Sequence, residues 1–162
     1  MLLTEAECLD FLARHGLRFE RMEHPPVFTC AEADLYWPAG EAAATKNLFL
    51  CDKKARRFFL VVTTCERTVA LERLAIQIGV PRLRFGSEEN LQQLLGVRRG
   101  AVTLMGLLND AEHRVELWVE AELWQAERFL VHPLVNTATL VLSRQDLLRF
   151  LSITGHAVHF FT

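Results

Sequence analysis

A chain of 162 residues that is 51% hydrophobic and 23% charged has the material for one compact domain with a real core, which excludes a disordered segment. Its formal charge of −2 excludes a global positive field, so any contact with a polyanion has to be local. Four cysteines, at 8, 30, 51 and 65, form no Cys-x-x-Cys pair; this excludes a zinc knuckle or a dithiol motif and predicts buried thiols in a reducing compartment.

Thr4-Glu5-Ala6-Glu7 is a capping box, and Cys8, Leu9, Phe11 and Leu12 follow at helical spacing until Gly16. Polar residues this early do not have the layout of a signal peptide, and no apolar run reaches membrane-spanning length. A soluble cytoplasmic domain is the expectation. Leu17 to Glu23 reads as a short strand, broken by His24-Pro25-Pro26 because neither proline donates to a ladder. A second capping box, Thr29 to Glu32, predicts a short helix ending near Trp37-Pro38, and Ala39 to Ala44 reads as a loop leading to Lys46.

Asn47 to Asp52 and Arg57 to Thr64 predict two apolar strands joined by the basic turn Lys53-Lys54-Ala55-Arg56. Thr45, Lys46 and Asn47 then stand as polar groups at the mouth of a buried element. A lysine held there offers a positive charge and three donors, or a free amine if the site is dry, although an arbitrary lysine is more often solvated. Val69 to Ile78 predicts a helix stopped by Gly79, Arg82 to Phe85 a short strand, and Ser87 to Gly96 a capped helix.

Gly96 to Thr103 brackets a turn with two glycines, a setting where backbone N–H groups can approach a phosphate or an acyl carbonyl. Leu104 to Leu108 is a short apolar element, and Asn109-Asp110 marks a turn. Val115 to Val119 alternates with charged residues, as an antiparallel strand with one wet face would. His132-Pro133 ends an element and leads through Asn136 and Thr137 into the buried strand Ala138 to Leu142. Ser143 caps the last helix, Gly155 stops it, and His156 to Phe161 predicts a final strand. His15, His24, His113, His156 and His159 read as surface or turn residues. No helical His-x-x-x-His spacing favours a metal. Nothing in the composition argues for a second domain.

Thr45-Lys46-Asn47-Leu48-Phe49-Leu50, Gly100-Ala101-Val102-Thr103, Leu107-Leu108-Asn109-Asp110 and His132-Pro133-Leu134-Val135-Asn136-Thr137-Ala138-Thr139 together resemble the prolyl-tRNA editing (YbaK/ProX-like) family. The run Lys46 to Leu50 is similar to the freestanding alanyl-tRNA(Pro) deacylases rather than to the cysteinyl-tRNA(Pro) branch. The resemblance implies a single α/β domain of α+β type, residues 1–162, with a central mixed, largely antiparallel sheet flanked by helices. It also implies hydrolysis of the ester joining a wrong amino acid to proline tRNA, alanine above all, without metal or organic cofactor.

An activated ester needs a positioned water and a stabilised oxyanion rather than a protein nucleophile. By resemblance, Lys46 serves the terminal phosphate or adenosine and the reacting ester, and Asn47 orients the substrate. Gly100 and Ala101 present backbone donors to the carbonyl oxygen, and His132 shapes the pocket. Substrate contacts are expected from Thr45, Thr103, Leu104, Met105 and Asn136, with Lys53, Lys54, Arg98 and Arg99 gripping tRNA. Leu104-Met105 stands where the family commonly has Pro-Phe, which puts the preference among small amino acids at issue. The expected partners are the tRNA acceptor end and a prolyl-tRNA synthetase, with no DNA and no membrane. The rival readings are a non-catalytic module that binds a tRNA acceptor end or a synthetase, and a metal-dependent hydrolase.

Overall fold

The computed structural model describes residues 2–36 and 42–162. Helix α1 (Glu5–Arg14) starts on the capping box, with Thr4 accepting from the Glu7 N–H and Glu7 bonding back to the Thr4 N–H. Strand β1 (Glu20–Glu23) is shorter than the pattern from Leu17 suggested, and buried Leu17 lies in the loop ahead of it. Helix α2 (Cys30–Asp34) is capped by Thr29 and has no buried residue. Its predicted end near Trp37-Pro38 lies outside the described residues.

Strand β2 (Ala43–Asp52) is longer than expected, so Ala44, Thr45 and Lys46 lie in the sheet rather than in a lead-in loop. It forms a hairpin with β3 (Phe58–Thr64), in which Lys46 faces Thr63 and Leu50 faces Phe59. Helix α3 (Leu71–Ile78), strand β4 (Leu83–Phe85) and helix α4 (Glu88–Leu95) follow, the two helices closing on left-handed Gly79 and Gly96. A 3₁₀ turn (Leu104–Asn109), β5 (Val115–Glu120), β6 (Arg128–Val131), β7 (Ala138–Ser143), α5 (Arg144–Thr154) and β8 (Val158–Phe161) complete the chain.

The sheet runs β1-β7-β6-β2-β3-β5-β8, with β4 attached to β2. It is mixed: β2 with β3, β2 with β4, β1 with β7 and β6 with β7 are antiparallel, whereas β2 with β6, β3 with β5 and β5 with β8 are parallel. Strand β5 therefore corrects the antiparallel expectation. Its alternating burial is present, but helix-bearing connections lead into it from β3 and out of it to β8, and such crossovers deliver parallel neighbours.

Two apolar layers cover the faces. Phe49 and Cys51 of β2 pack with Phe58, Leu60 and Val62 of β3 under α1, α4 and α5, whereas Leu50, Phe59 and Val61 pack under Leu74, Ala75 and Ile78 of α3. This is the period-two alternation of a sheet with helices on both sides. His24 and His156 are buried, against the surface expectation. His156 is held at 2.9 Å by Asp110, which also accepts from the N–H groups of Arg114 and Val115. No helix among the described residues is long and apolar enough to cross a membrane.

Candidate active site

One edge of β2 pairs with β3 along residues 45–51, but its other edge is divided. Ala43 and Ala44 pair with β6, and Leu50 to Asp52 pair with β4. Between them the strand pairs with no other strand among the described residues, and a cavity of about 570 Å³ opens there. That volume lies within the range of small-molecule sites. Thr45, Lys46, Asn47, Leu48 and Phe49 line it from the strand, and Leu130, Phe85 and Gly86 from the flanking pieces. This is why residues 43–48 are only half-buried although the pattern reads as a buried strand.

The ladder determines which backbone groups face the gap. Asp52 N–H bonds the Arg57 carbonyl across the hairpin, and Gly86 N–H bonds the Phe49 carbonyl on the opposite edge. Antiparallel alternation then turns the N–H and C=O of Asn47 toward the open edge. The Asn47 side-chain oxygen is buried and lacks a partner among the described residues. Lys46 projects to the other face and donates its Nζ to the backbone carbonyl of Arg67. Arg67 is in turn placed by the buried carboxylate of Glu120, 3.6 Å away, and by stacking over the Phe161 ring. Glu120 also accepts from the Thr63 hydroxyl and the Thr64 N–H. The sequence gives no hint of this support because it joins four separate elements.

His132 lines the cavity just beyond β6 and donates Nδ1–H to the Ala138 carbonyl at 2.9 Å. A carbonyl only accepts, so Nε2 is the ring's acceptor position. Burial pushes the His132 pKa below its ordinary value and the nearby His24 ring adds to this, while the Ala138 bond opposes it. The neutral ring is favoured. Behind the wall, His24 holds the Pro25 carbonyl at 2.9 Å and the Thr139 hydroxyl at 2.7 Å, and it stacks on Tyr36. With Nδ1–H given to Pro25, Nε2 accepts from Thr139, whose oxygen lone pairs remain for the cavity. Sequence reading missed both His24 and Thr139 as site residues.

Gly100 lines the opposite wall at φ +90, and a Cβ there would stand 2.8 Å from the Phe28 ring. Its N–H donates to no acceptor among the described residues. Ala101 differs from the expectation: its N–H already bonds the Arg98 carbonyl at 3.0 Å and the residue is buried, so it offers no donor to a ligand. Thr103 is likewise buried and secures the His132 carbonyl at 2.5 Å. Leu104 and Met105 pack in the core rather than on the cavity wall. Asn136 ties down Val27, donating to its carbonyl at 3.1 Å, so it steadies the segment carrying Phe28.

Of Lys53, Lys54, Arg98 and Arg99, it is Arg99 that reaches the cavity lining. Arg98 is exposed nearby in sequence, while Lys53 and Lys54 follow the far end of β2, about 20 Å along the strand from Lys46. The lining also includes Asp34 of α2 and both cysteines of a Cys30–Cys65 disulfide. That bond corrects the expectation of four buried thiols; only Cys8 and Cys51 are free and buried. Among the described residues, no group of three or more His, Cys, Asp or Glu is placed to hold a metal.

Residues 24–150 match the family described as "Aminoacyl-tRNA editing domain". The chain is 40% identical over 152 residues to the prolyl-tRNA synthetase associated domain-containing protein 1 of Danio rerio, covering 93% of this chain and 82% of that protein. It is 36% identical over 140 residues to the prolyl-tRNA editing protein ProX of Acetoanaerobium sticklandii, covering 86% and 85%. A crystal structure described as that of a candidate trans-editing enzyme for prolyl tRNA synthetase superposes with a TM-score of 0.73 at 19% identity, over 99% of this chain and 98% of that one. The architecture is thus the YbaK-like editing fold. By the extent of these matches, the chain belongs to the aminoacyl-tRNA editing domain family.

Proposed function

We propose that this chain hydrolyses the aminoacyl ester of mischarged proline tRNA, with alanyl-tRNA(Pro) as its preferred substrate and no metal in the reaction. The observation that carries this reading is the gap in the sheet. It brings Lys46, Asn47, Gly100 and His132 around one cavity of small-molecule size.

The Gly100 N–H and the Asn47 N–H are fixed donors for the oxyanion that develops as water attacks the ester carbonyl. Lys46 and Arg99 supply cations for the adjoining phosphate. Asp34 and the Asn47 side-chain oxygen supply acceptors for the α-ammonium group. The neutral His132 ring, through Nε2, accepts from the attacking water or from the ribose hydroxyl beside the ester. The released products are the free amino acid and the tRNA with its ribose hydroxyl restored.

Selection among alanine, serine and cysteine then rests on the apolar wall of Leu91, Val102, Leu130 and Phe49, not on Leu104-Met105. One methylene more or less in such a pocket is worth about 1–3 kcal/mol. The names of the relatives support proline tRNA as the substrate and its synthetase as a neighbour in the same pathway step. Lys46→Ala tests the reading. It is expected to lower kcat/KM by about 100-fold or more while the circular dichroism spectrum is kept; unchanged turnover contradicts the assignment.

A further inference from the structure

Helix α2 forms one wall of the cavity through Cys30, Ala33 and Asp34, yet it buries none of its own residues in either core layer. Its covalent attachment to the sheet is the disulfide from Cys30 to Cys65, whose Cα atoms are 5.7 Å apart. Cys65 directly follows β3 and lies two residues before Arg67, whose carbonyl receives Lys46. Cys30 and Cys65 both line the cavity and are only half-buried, so a small thiol can reach the bond. Cys65 Sγ also lies 3.5 Å from the Thr45 carbonyl oxygen, so the reduced thiol has an acceptor waiting. Each oxidation state therefore has a defined partner.

We infer that the Cys30–Cys65 pair is a redox clamp that sets the affinity of the cavity for its substrate. The inference rests on the editing reading above. In the oxidised state the bond holds α2 against the turn at 64–67 and keeps Asp34 facing the cavity. A dithiol reductant transfers two electrons and two protons to the bond, giving two thiols here and a disulfide in the reductant. Among the described residues, helix α2, with no buried side chain, is then held by its capping and backbone bonds and by the stacking of Tyr36 on His24. Lys46 is not released, because Glu120 and Phe161 still hold Arg67. Reduction therefore acts on KM more than on kcat.

Cys8 and Cys51 do not obscure the readout. Burial pushes the Cys8 thiol up to about 12, and it raises that of Cys51, so neither reacts readily with alkylating agents in the native state. The test equilibrates the full chain in dithiol/disulfide buffers, counts alkylatable thiols by mass, and measures two quantities in each state. The first is hydrogen exchange of the amides of residues 30–36, and the second is KM for alanyl-tRNA(Pro). The oxidised chain is expected to show slower exchange there and a KM lower by about tenfold, roughly the gain from preorganising a mobile wall. Cys65→Ser is expected to behave as the reduced chain in every buffer. Equal exchange and equal KM in chains shown to be oxidised and reduced overturn the clamp, as does failure of the pair to form. Exchange that differs between states in a chain without deacylase activity supports the clamp and removes the editing reading.

Discussion

His132 donates Nδ1–H to the carbonyl of Ala138 at 2.9 Å, six residues along the chain, and this bond fixes both its tautomer and its outlook on the cavity. The bond spans the loop that carries Leu134 at φ 69, so β6 and β7 converge on the site through one imidazole. Because burial lowers the pKa of that ring, its neutral form outlasts that of an ordinary histidine as pH falls. Deacylation at saturating substrate is expected to hold steady down through the ordinary histidine value of about 6.5 and to fall only below it. Stability behaves differently. Between the ordinary and the depressed value the unfolded chain binds a proton that the folded chain does not, so stability decreases as pH falls below about 6.5. A pH–rate profile with its acid limb above that value contradicts the neutral-ring account.

Gly100 is constrained twice, by its left-handed backbone and by the Phe28 ring over it. Gly100→Ala is expected to cost about 1–2 kcal/mol of stability from the backbone term alone. It also displaces Phe28 and swings the oxyanion donor away. Urea denaturation and kcat together check this; a variant with native stability and native kcat places the donor elsewhere.

Arg99 and the pair Lys53 and Lys54 separate two uses of positive charge. Arg99→Ala is expected to weaken tRNA binding and to reduce the slope of log affinity against log salt by about 0.7, the share of one phosphate on a single strand. Removing Lys53 and Lys54 together is expected to leave both nearly unchanged, because the turn is a strand-length from the cavity. Affinities measured over a salt series decide between them.

Thr139 and His24 form a hydroxyl–imidazole pair at 2.7 Å, with the imidazole anchored on Pro25, and a nucleophile would be built the same way. The editing account assigns the attack to water. Thr139→Val is therefore expected to reduce turnover by no more than about tenfold, the value of one hydrogen bond to substrate, and no acyl-enzyme should accumulate in rapid acid quench. A trapped ester on Thr139 contradicts the water mechanism.

The features legible in the sequence are those governed by neighbours in the chain. Thr4, Thr29, Ser87 and Ser143 each cap a helix, and Gly79, Gly96 and Gly155 each close one, because caps are local hydrogen-bond problems. Lys46, Asn47, Gly100 and His132 were legible as a motif set, and the fold brings all four to one cavity. What stayed hidden is tertiary. The gap beside β2 exists because two short strands, β4 and β6, stop short of each other, and β6 is too brief to leave a pattern. Cys30 and Cys65 are 35 residues apart in the chain and meet only when α2 folds over the end of β3. Ala101 reads as a donor next to Gly100, but the turn commits its N–H to the Arg98 carbonyl.

The most direct measurement is the deacylation of proline tRNA charged in turn with alanine, serine, cysteine and proline, with and without a chelator. The account predicts rapid loss of alanine, unaffected by the chelator, with prolyl-tRNA spared. No hydrolysis of any of the four, or hydrolysis abolished by the chelator, contradicts it.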